Sequence, residues 1–397
     1  MNYDSALHRC SDKQAQARCD ALPSFPNRGA ESGAVGTNTM SDAPRNICDK
    51  EGCGRRRIVI TMRGQRGEDH WLVDGLRERG FRVAVVDFNP RVSLKVAAPR
   101  RGLRKAASLW LSWRGARLAA TTDSVLVAQN YMAAILSVFV PAPRGYGRAP
   151  TVGLNMILMH DGAGLLPRRT LHRLALRMPG TILTVNSQHL ADRYADLLRV
   201  PSNRFAVLPD CWPVGAVFQR PTAEGDYVFV GGKRRDWPTV VAAAKACPEV
   251  PFEIIARRTD WPRGLVPTPN VHVRLDTSAS VFYTALRECR LALVPSLPGG
   301  NLGLLVIIHG AMSGKPVVAT RTPEVEPYYP PDCSRLLVPL SDSRSIGDIV
   351  NRLWNDEQEV LFAAEKLQSH IRAEFSPQSY LAELAGIIEG LRQRVPV

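Results

Sequence analysis

The chain has 397 residues, 45% of them hydrophobic, and 51 Lys and Arg against 37 Asp and Glu give a formal net charge of +14. That length and apolar content exclude a fibrous or wholly disordered chain and suit two domains with separate cores. The positive balance favours an anionic partner, but no RNA-recognition or helix-turn-helix pattern accompanies it, so nucleic acid is not expected.

Residues 1–54 are rich in Ser, Asn, Asp and Gly, lack periodicity and lack a signal-peptide core, so they read as a disordered tail. The eight cysteines form no C-x-x-C pair and no zinc-ligand spacing, which points to a reducing compartment. An N-terminal domain is expected over 55–208. It opens with a short strand at 58–61, a glycine loop, a helix from Trp71 to Gly80 and a second strand in FRVAVVDF, a βαβ unit that predicts a parallel sheet. Residues 91–117 (RVSLKVAAPRRGLRKAASLWLSWRGAR) are basic, contain no acid and carry Trp110 and Trp113. A basic, apolar-striped helix of this kind fits packing on the domain and an anionic membrane surface equally.

Strands follow at 125–129, 153–159 and 182–187. The most hydrophobic window, 125–142, is interrupted by Gln129 and Asn130 and ends in prolines, so no membrane span is expected. Residues 209–226, with three prolines and no helical period, read as a linker. A second series over 227–375 gives strands in YVFVGG, FEIIAR, NVHVR and RLALVPS, with Pro238 opening a helix after the first. An apolar helix over 302–312 follows, N-capped by Asn301 and stopped by Gly314 and Pro316, and a strand over 316–320 succeeds it. Helices at 345–355 and 377–394 close the chain, and the C-terminal piece 376–397, with Ser376 as N-cap, is expected to pack back on the N-terminal domain. The fold class is α/β, two Rossmann-like doubly wound parallel-sheet domains facing across a cleft, with ligands beyond the carboxyl ends of the strands.

The helix at 302–312 supplies the first functional candidate. Backbone N–H groups at Gly300, Asn301 and Leu302 lack intrahelical partners, and the helix dipole makes that end attractive to a phosphate. In GGKRRD, Gly231 and Gly232 let backbone come close to a ligand while Lys233 and Arg235 supply charge, with Arg234 read as a solvated loop residue.

These segments resemble retaining glycosyltransferases of the GT-B fold (glycosyl transferases group 1, family 4-like). GGNLGLLVIIHGAMSGKPVVATRT is similar to that family's donor segment, YVFVGGKRRDWPTVVAAA to its Val-Gly-Gly loop, GLNMILMHDGAG to its strand ending in His-Asp, and ILTVNSQHLADRYADLLRVPSNRFAVLPD to its serine strand and the approach to the linker. The resemblance runs over about residues 57–390, and the order of its motifs carries it. It implies a nucleotide-sugar donor held by Gly231, Gly232, Lys233, Arg235, Gly300, Asn301, Leu302, Gly303 and His309. It also implies His160 near the transferred sugar, joined in catalysis by Lys233 and Arg235, and an acceptor side lined by Arg63, Gly64, Arg66, Gly67 and Asp161.

The resemblance further implies retaining, hexosyltransferase-type transfer by front-face attack, in which charge builds on the leaving diphosphate. No Asp-x-Asp pair occurs, so no metal and no other cofactor is expected. The acceptor is expected to be lipid-linked or polysaccharide, in cell-envelope or exopolysaccharide assembly, by a cytoplasmic protein peripheral to the inner face of the membrane. One departure opens an alternative. The family's donor-ribose glutamate, the residue before Ala-Met, is Gly310 here, which fits a catalytically silent GT-B partner subunit; Glu324 and Glu326 lie beyond the next strand, either facing the cleft or, more simply, on a surface turn. A Rossmann-type oxidoreductase is disfavoured, because MRGQRG after the first strand lacks the G-x-G-x-x-G spacing.

Overall fold

The computed structural model describes residues 56–63, 70–88, 101–157, 166–297 and 303–394, so the tail expected over 1–54 lies outside the described residues. In the first lobe, β-branched runs and the amphipathic runs between them form β1 (Arg57–Arg63), α1 (Trp71–Glu78), β2 (Arg82–Phe88), α2 (Arg101–Thr121), β3 (Val125–Ala128), α3 (Tyr131–Ser137), β4 (Thr151–Gly153), α4 (Leu166–Arg177), β5 (Thr181–Val185), α5 (Gln188–Leu198) and β6 (Phe205–Val207). The strands form one sheet in the order β2-β1-β3-β4-β5-β6, every pairing parallel.

Parallel pairing needs crossovers, and the period-two alternation of side chains decides which helix covers which face. Val125 and Val127 of β3 join Leu72 and Leu76 of α1 in one core. Their neighbours Leu126 and Ala128 point the other way. Leu126 packs with Leu111 and Ala119 of α2, and Ala128 with Ala134 of α3, Leu176 of α4 and Leu190 of α5.

The second lobe contains β7 (Val228–Gly231), α6 (Trp237–Ala246), β8 (Phe252–Ala256), β9 (Val271–Leu275), α7 (Ala279–Glu288), β10 (Leu291–Val294), α8 (Leu304–Met312), β11 (Val317–Thr320), β12 (Leu337–Val338), α9 (Ser343–Asn355) and α10 (Glu357–Glu374). Its sheet runs β12-β11-β10-β7-β8-β9, again parallel throughout. Counted from β7, this is the 3-2-1-4-5-6 order of a dinucleotide-type fold, and its topological switch point lies between β7 and β10.

The last helix, α11 (Pro377–Arg394), returns to the first lobe. Tyr380, Leu381, Leu384 and Ile388 enter the core built on α1 and β3. Gly75 makes room for it, since a Cβ there would meet Leu381 Cδ1 at 2.2 Å.

Two expectations need correction. The strand expected over 153–159 is β4 at Thr151–Gly153, because Asn155 takes a left-handed φ of 52° that ends the regular ladder. The sequence reading also passed over α10, although its apolar positions Val360, Ala363, Ala364, Leu367 and Ile371 keep helical spacing and Asp356 caps it by accepting the Glu359 N–H at 2.9 Å.

Residues 209–226 carry no helix or strand and lie along the second lobe. The Gln219 N–H donates to the Met312 carbonyl at 2.8 Å and Lys315 Nζ to the Glu224 carbonyl at 2.9 Å. Where this segment leaves the first lobe, the Trp212 N–H donates to the Phe375 carbonyl at 3.0 Å, at the point where the chain crosses back.

Asp210 sits at this junction. The Tyr328 hydroxyl donates to its carbonyl at 3.3 Å, and burial pushes its carboxyl up from 3.8 to about 6, against a hydrogen bond from Asn186 that lowers it. An acid whose pKa is raised on folding leaves stability intact below about pH 4 and removes it as pH rises through about 6. Asp210→Asn is therefore expected to raise the melting temperature by a few degrees at pH 7.5, for a gain on the order of 1–3 kcal/mol, and by almost nothing near pH 4. Thermal melts at the two pH values check this, and an equal shift at both would sever it from titration.

Candidate functional site

The switch point of the second sheet brings two loops together. β7 ends at Gly231, and the next residue, Gly232, takes φ 115°, a conformation that a side chain disfavours. The loop then turns back against the segment following β10. Arg235 and Ser296 form an antiparallel bridge, and the Asp236 N–H donates to the Pro295 carbonyl at 2.9 Å. Asp236 next caps α6, accepting the Thr239 N–H at 3.3 Å, and it also accepts the Ser341 hydroxyl at 2.6 Å.

Arg235 occupies the centre. Its residue is 3% exposed, Nε donates to the Gly231 carbonyl at 2.9 Å and Nη1 to the Lys233 carbonyl at 3.2 Å. The guanidinium lies between two glycines. A Cβ on Gly232 would stand 2.6 Å from Nη2, and one on Gly303 would stand 3.2 Å from the same nitrogen and 2.4 Å from Val294 Cγ1. Gly303, with φ 113°, is also the N-cap of α8, its carbonyl accepting the N–H groups of Val306 and Ile307 at 2.8 and 3.1 Å. The sequence placed that cap at Asn301; the helix starts at Leu304, because the left-handed Gly303 breaks the helical run before it.

The local charges of this loop pair are mainly positive. Burial draws the Arg235 pKa down to about 10, which keeps it protonated at neutral pH, and the guanidinium lies against the positive end of the α8 dipole. Lys233 adds a third positive contribution. Its pKa is lowered by burial first and by the nearby Arg257 second, with Asp260 opposing both. Among the described residues, no three His, Cys, Asp or Glu side chains group to hold a metal ion.

His309 is elsewhere. It lies five residues into α8, its ring 4.7 Å from that of Tyr283 on α7, and burial pulls its pKa down to about 4, so it is a neutral, packed imidazole at physiological pH. Position 310 is more informative. A Cβ on Gly310 would meet Val317 Cγ2 of β11 at 2.5 Å, so this position faces the sheet. A glutamate here would point into packed β11 instead of toward a ligand. The glycine suits this close packing, and the acid that the resemblance calls for is absent from the position.

Of the other candidates, His160, Asp161, Gly64, Arg66, Gly67, Gly300, Asn301 and Leu302 lie outside the described residues. Arg63 ends β1, at the carboxyl edge of the first sheet beside its own switch between β1 and β3. Glu324 is not on a surface turn as expected. It is 4% exposed and 3.9 Å from His189 Nε2 at the start of α5, an ion pair across the lobes that forms when the imidazole is protonated, whereas Glu326 is exposed and pairs with Arg321 at 3.1 Å. Ser296 and the Asp236 cap escaped the sequence reading; an Asp two residues before Pro238 was the available signal for the cap.

No protein-family model matches the chain, and no curated protein matches it. Solved structures do. A glycosyltransferase from Rickettsia africae ESF-5 is similar over 86% of this chain and 100% of its own, with TM-score 0.59 and 10% identity. HepE from Anabaena, in complex with UDP-glucose, is similar over 84% of this chain and 99% of its own, with TM-score 0.57 and 16% identity. WaaG, a glycosyltransferase involved in lipopolysaccharide biosynthesis, gives 84% and 100%, TM-score 0.54 and 14% identity. At these identities the likeness establishes the fold, two Rossmann-like domains of GT-B type.

Proposed function

We propose that the chain is a glycosyltransferase that moves a sugar from a nucleotide-sugar donor to a lipid-linked or polysaccharide acceptor. The observation that carries this reading is the switch-point cradle, in which Arg235 is clasped between Gly232 and Gly303 at the N-terminus of α8. A diphosphate fits such a site, because oriented N–H groups and a buried guanidinium meet charge with little reorganisation. HepE, of the same fold, has been solved with UDP-glucose.

In this reading transfer proceeds with retention, hexosyl transfer being the expected type. The leaving diphosphate accepts the acceptor's proton, and Arg235, Lys233 and the α8 terminus stabilise the charge that builds on it, so neither a protein nucleophile nor a metal is required. On the family resemblance, His160 is proposed to act near the transferred sugar, and Arg63, Gly64, Arg66, Gly67 and Asp161 to serve the acceptor side. Cell-envelope or exopolysaccharide glycan assembly on the cytoplasmic side of a membrane is the setting proposed. No helix among the described residues is long and apolar enough to cross a membrane.

The test is thermal stabilisation by UDP, GDP, ADP and their sugars, each with and without EDTA. A selective shift by one nucleotide, undiminished by EDTA, is expected, together with slow donor hydrolysis. Absence of any shift in a folded sample would overturn the donor site; binding without turnover would leave a sugar-nucleotide receptor in place of an enzyme.

A further inference from the structure

The helices α2, α3, α4 and α5 all cover the same face of the first sheet, as the inward positions Leu126 and Ala128 require. The layer is continuous. Ser112 Oγ of α2 donates to the Ala133 carbonyl of α3 at 3.0 Å, Tyr131 of α3 and His172 of α4 stand ring to ring at 5.9 Å, and Trp110 of α2 and Ala149, just before β4, pack against the same core around Leu111 and Leu126.

The outer side of this layer is unusually apolar for a surface. Leu109 is 57% exposed, Trp113 51%, Tyr146 51%, Leu174 47% and Phe139 37%. Leu109 and Trp113 are one turn apart on α2, on the side opposite Leu111, Gly115 and Ala119, which face the sheet. The polar residues among them carry one sign. Arg114, Arg117, Arg144, Arg148 and Arg177 are exposed, and residues 101–121, 131–150 and 166–177 contain no Asp or Glu. Two of the arginines lie over tryptophan rings, Arg114 over Trp110 at 5.2 Å and Arg117 over Trp113 at 5.4 Å. Such pairs present an apolar body with a cationic tip.

Isolated exposed hydrophobes are ordinary, but several on one helix layer whose segments carry arginine and no acid mark a binding surface. We infer that the outer face of the α2–α3–α4 layer docks on an anionic lipid bilayer. Trp113, Tyr146, Leu109 and Phe139 enter the headgroup region, and the arginines meet lipid phosphates. Charge complementarity decides for lipid over a second copy of this chain, whose own face would bring the same arginines against one another. The docking surface therefore extends beyond α2 to the loop 138–150 and α4.

The inference is independent of the transfer reading, since the test needs neither donor nor acceptor. The full chain is floated with vesicles of phosphatidylcholine alone and of phosphatidylcholine mixed with phosphatidylglycerol. Flotation with the anionic vesicles only, weakened by salt, is expected. Arg117→Glu with Arg144→Glu should lower the partition on the order of tenfold or more, and Trp113→Ser with Tyr146→Ser should lower it several-fold while leaving the melting temperature in place, as their exposure dictates. Negligible flotation with both vesicle types would overturn the inference, as would anionic-vesicle binding unaltered by all four substitutions. Tight binding of a soluble acidic polysaccharide without vesicle binding would reassign the face.

Discussion

Arg235→Ala should abolish nucleotide-dependent stabilisation and lower donor turnover by about 10²–10³-fold, the scale of losing a preorganised group at developing charge. The side chain does two things at once. It supplies charge at the switch point, and it ties the two loops through the Gly231 and Lys233 carbonyls while filling the space left by Gly232 and Gly303. Truncation should therefore also reduce stability by about 2–4 kcal/mol, the range for emptying a buried site and orphaning its acceptors. Arg235→Lys separates the roles, since an ammonium keeps the charge but not the planar fork that reaches two carbonyls. It should retain weak nucleotide binding with impaired turnover. The measurements are nucleotide thermal shift and hydrolysis rate for each variant; an alanine variant that still shifts with nucleotide like the parent would remove Arg235 from the donor site.

Gly310→Glu restores the acid that the family resemblance calls for, and it should damage the protein instead of improving it. The new Cβ would stand 2.5 Å from Val317 Cγ2, inside the contact between α8 and β11. Overpacking of this kind costs about 1–3 kcal/mol, and a carboxylate without a partner beside buried Val317 adds to it, for a total of roughly 3–5 kcal/mol. Gly310→Ala carries the steric part alone and should lose about 1–2 kcal/mol with donor binding intact. Denaturant melts and nucleotide titration of both variants decide the matter, and a stable, more active glutamate variant would show that position 310 faces the ligand after all.

The second lobe was the more legible half. Its strands are short β-branched runs punctuated by Gly, Pro and Asp, so YVFVGG, FEIIAR and VVAT declare themselves locally, and the glycine loop after the first strand led to Arg235. What the sequence could not supply was direction. Gly310 and His309 are adjacent in a helix that is apolar almost all round, and only the packing reveals that one faces β11 and the other Tyr283. Glu324 was misplaced for a similar reason. Residues flanked by Pro and Thr read as a surface turn, and its partner His189 is 135 positions earlier in the chain, in the other lobe. The basic segment around Trp113 stayed balanced between two readings because one side of α2 packs on the sheet while Leu109 and Trp113 on its other side are exposed.

The chain passes between the lobes twice, once near Asp210 to Trp212 and once near Phe375, and the two strands of this passage are joined by the Trp212 to Phe375 hydrogen bond, with Tyr328 stacked on Phe375 at 4.1 Å. A single tether would permit rotation about any axis. Two tethers pinned side by side leave chiefly one, like the two leaves of a book sharing a spine, so any rocking of the lobes is confined to opening and shutting. A single proteolytic cut within 209–226 would leave the two halves still bound through α11, whose Tyr380, Leu381, Leu384 and Ile388 lie in the first lobe's core.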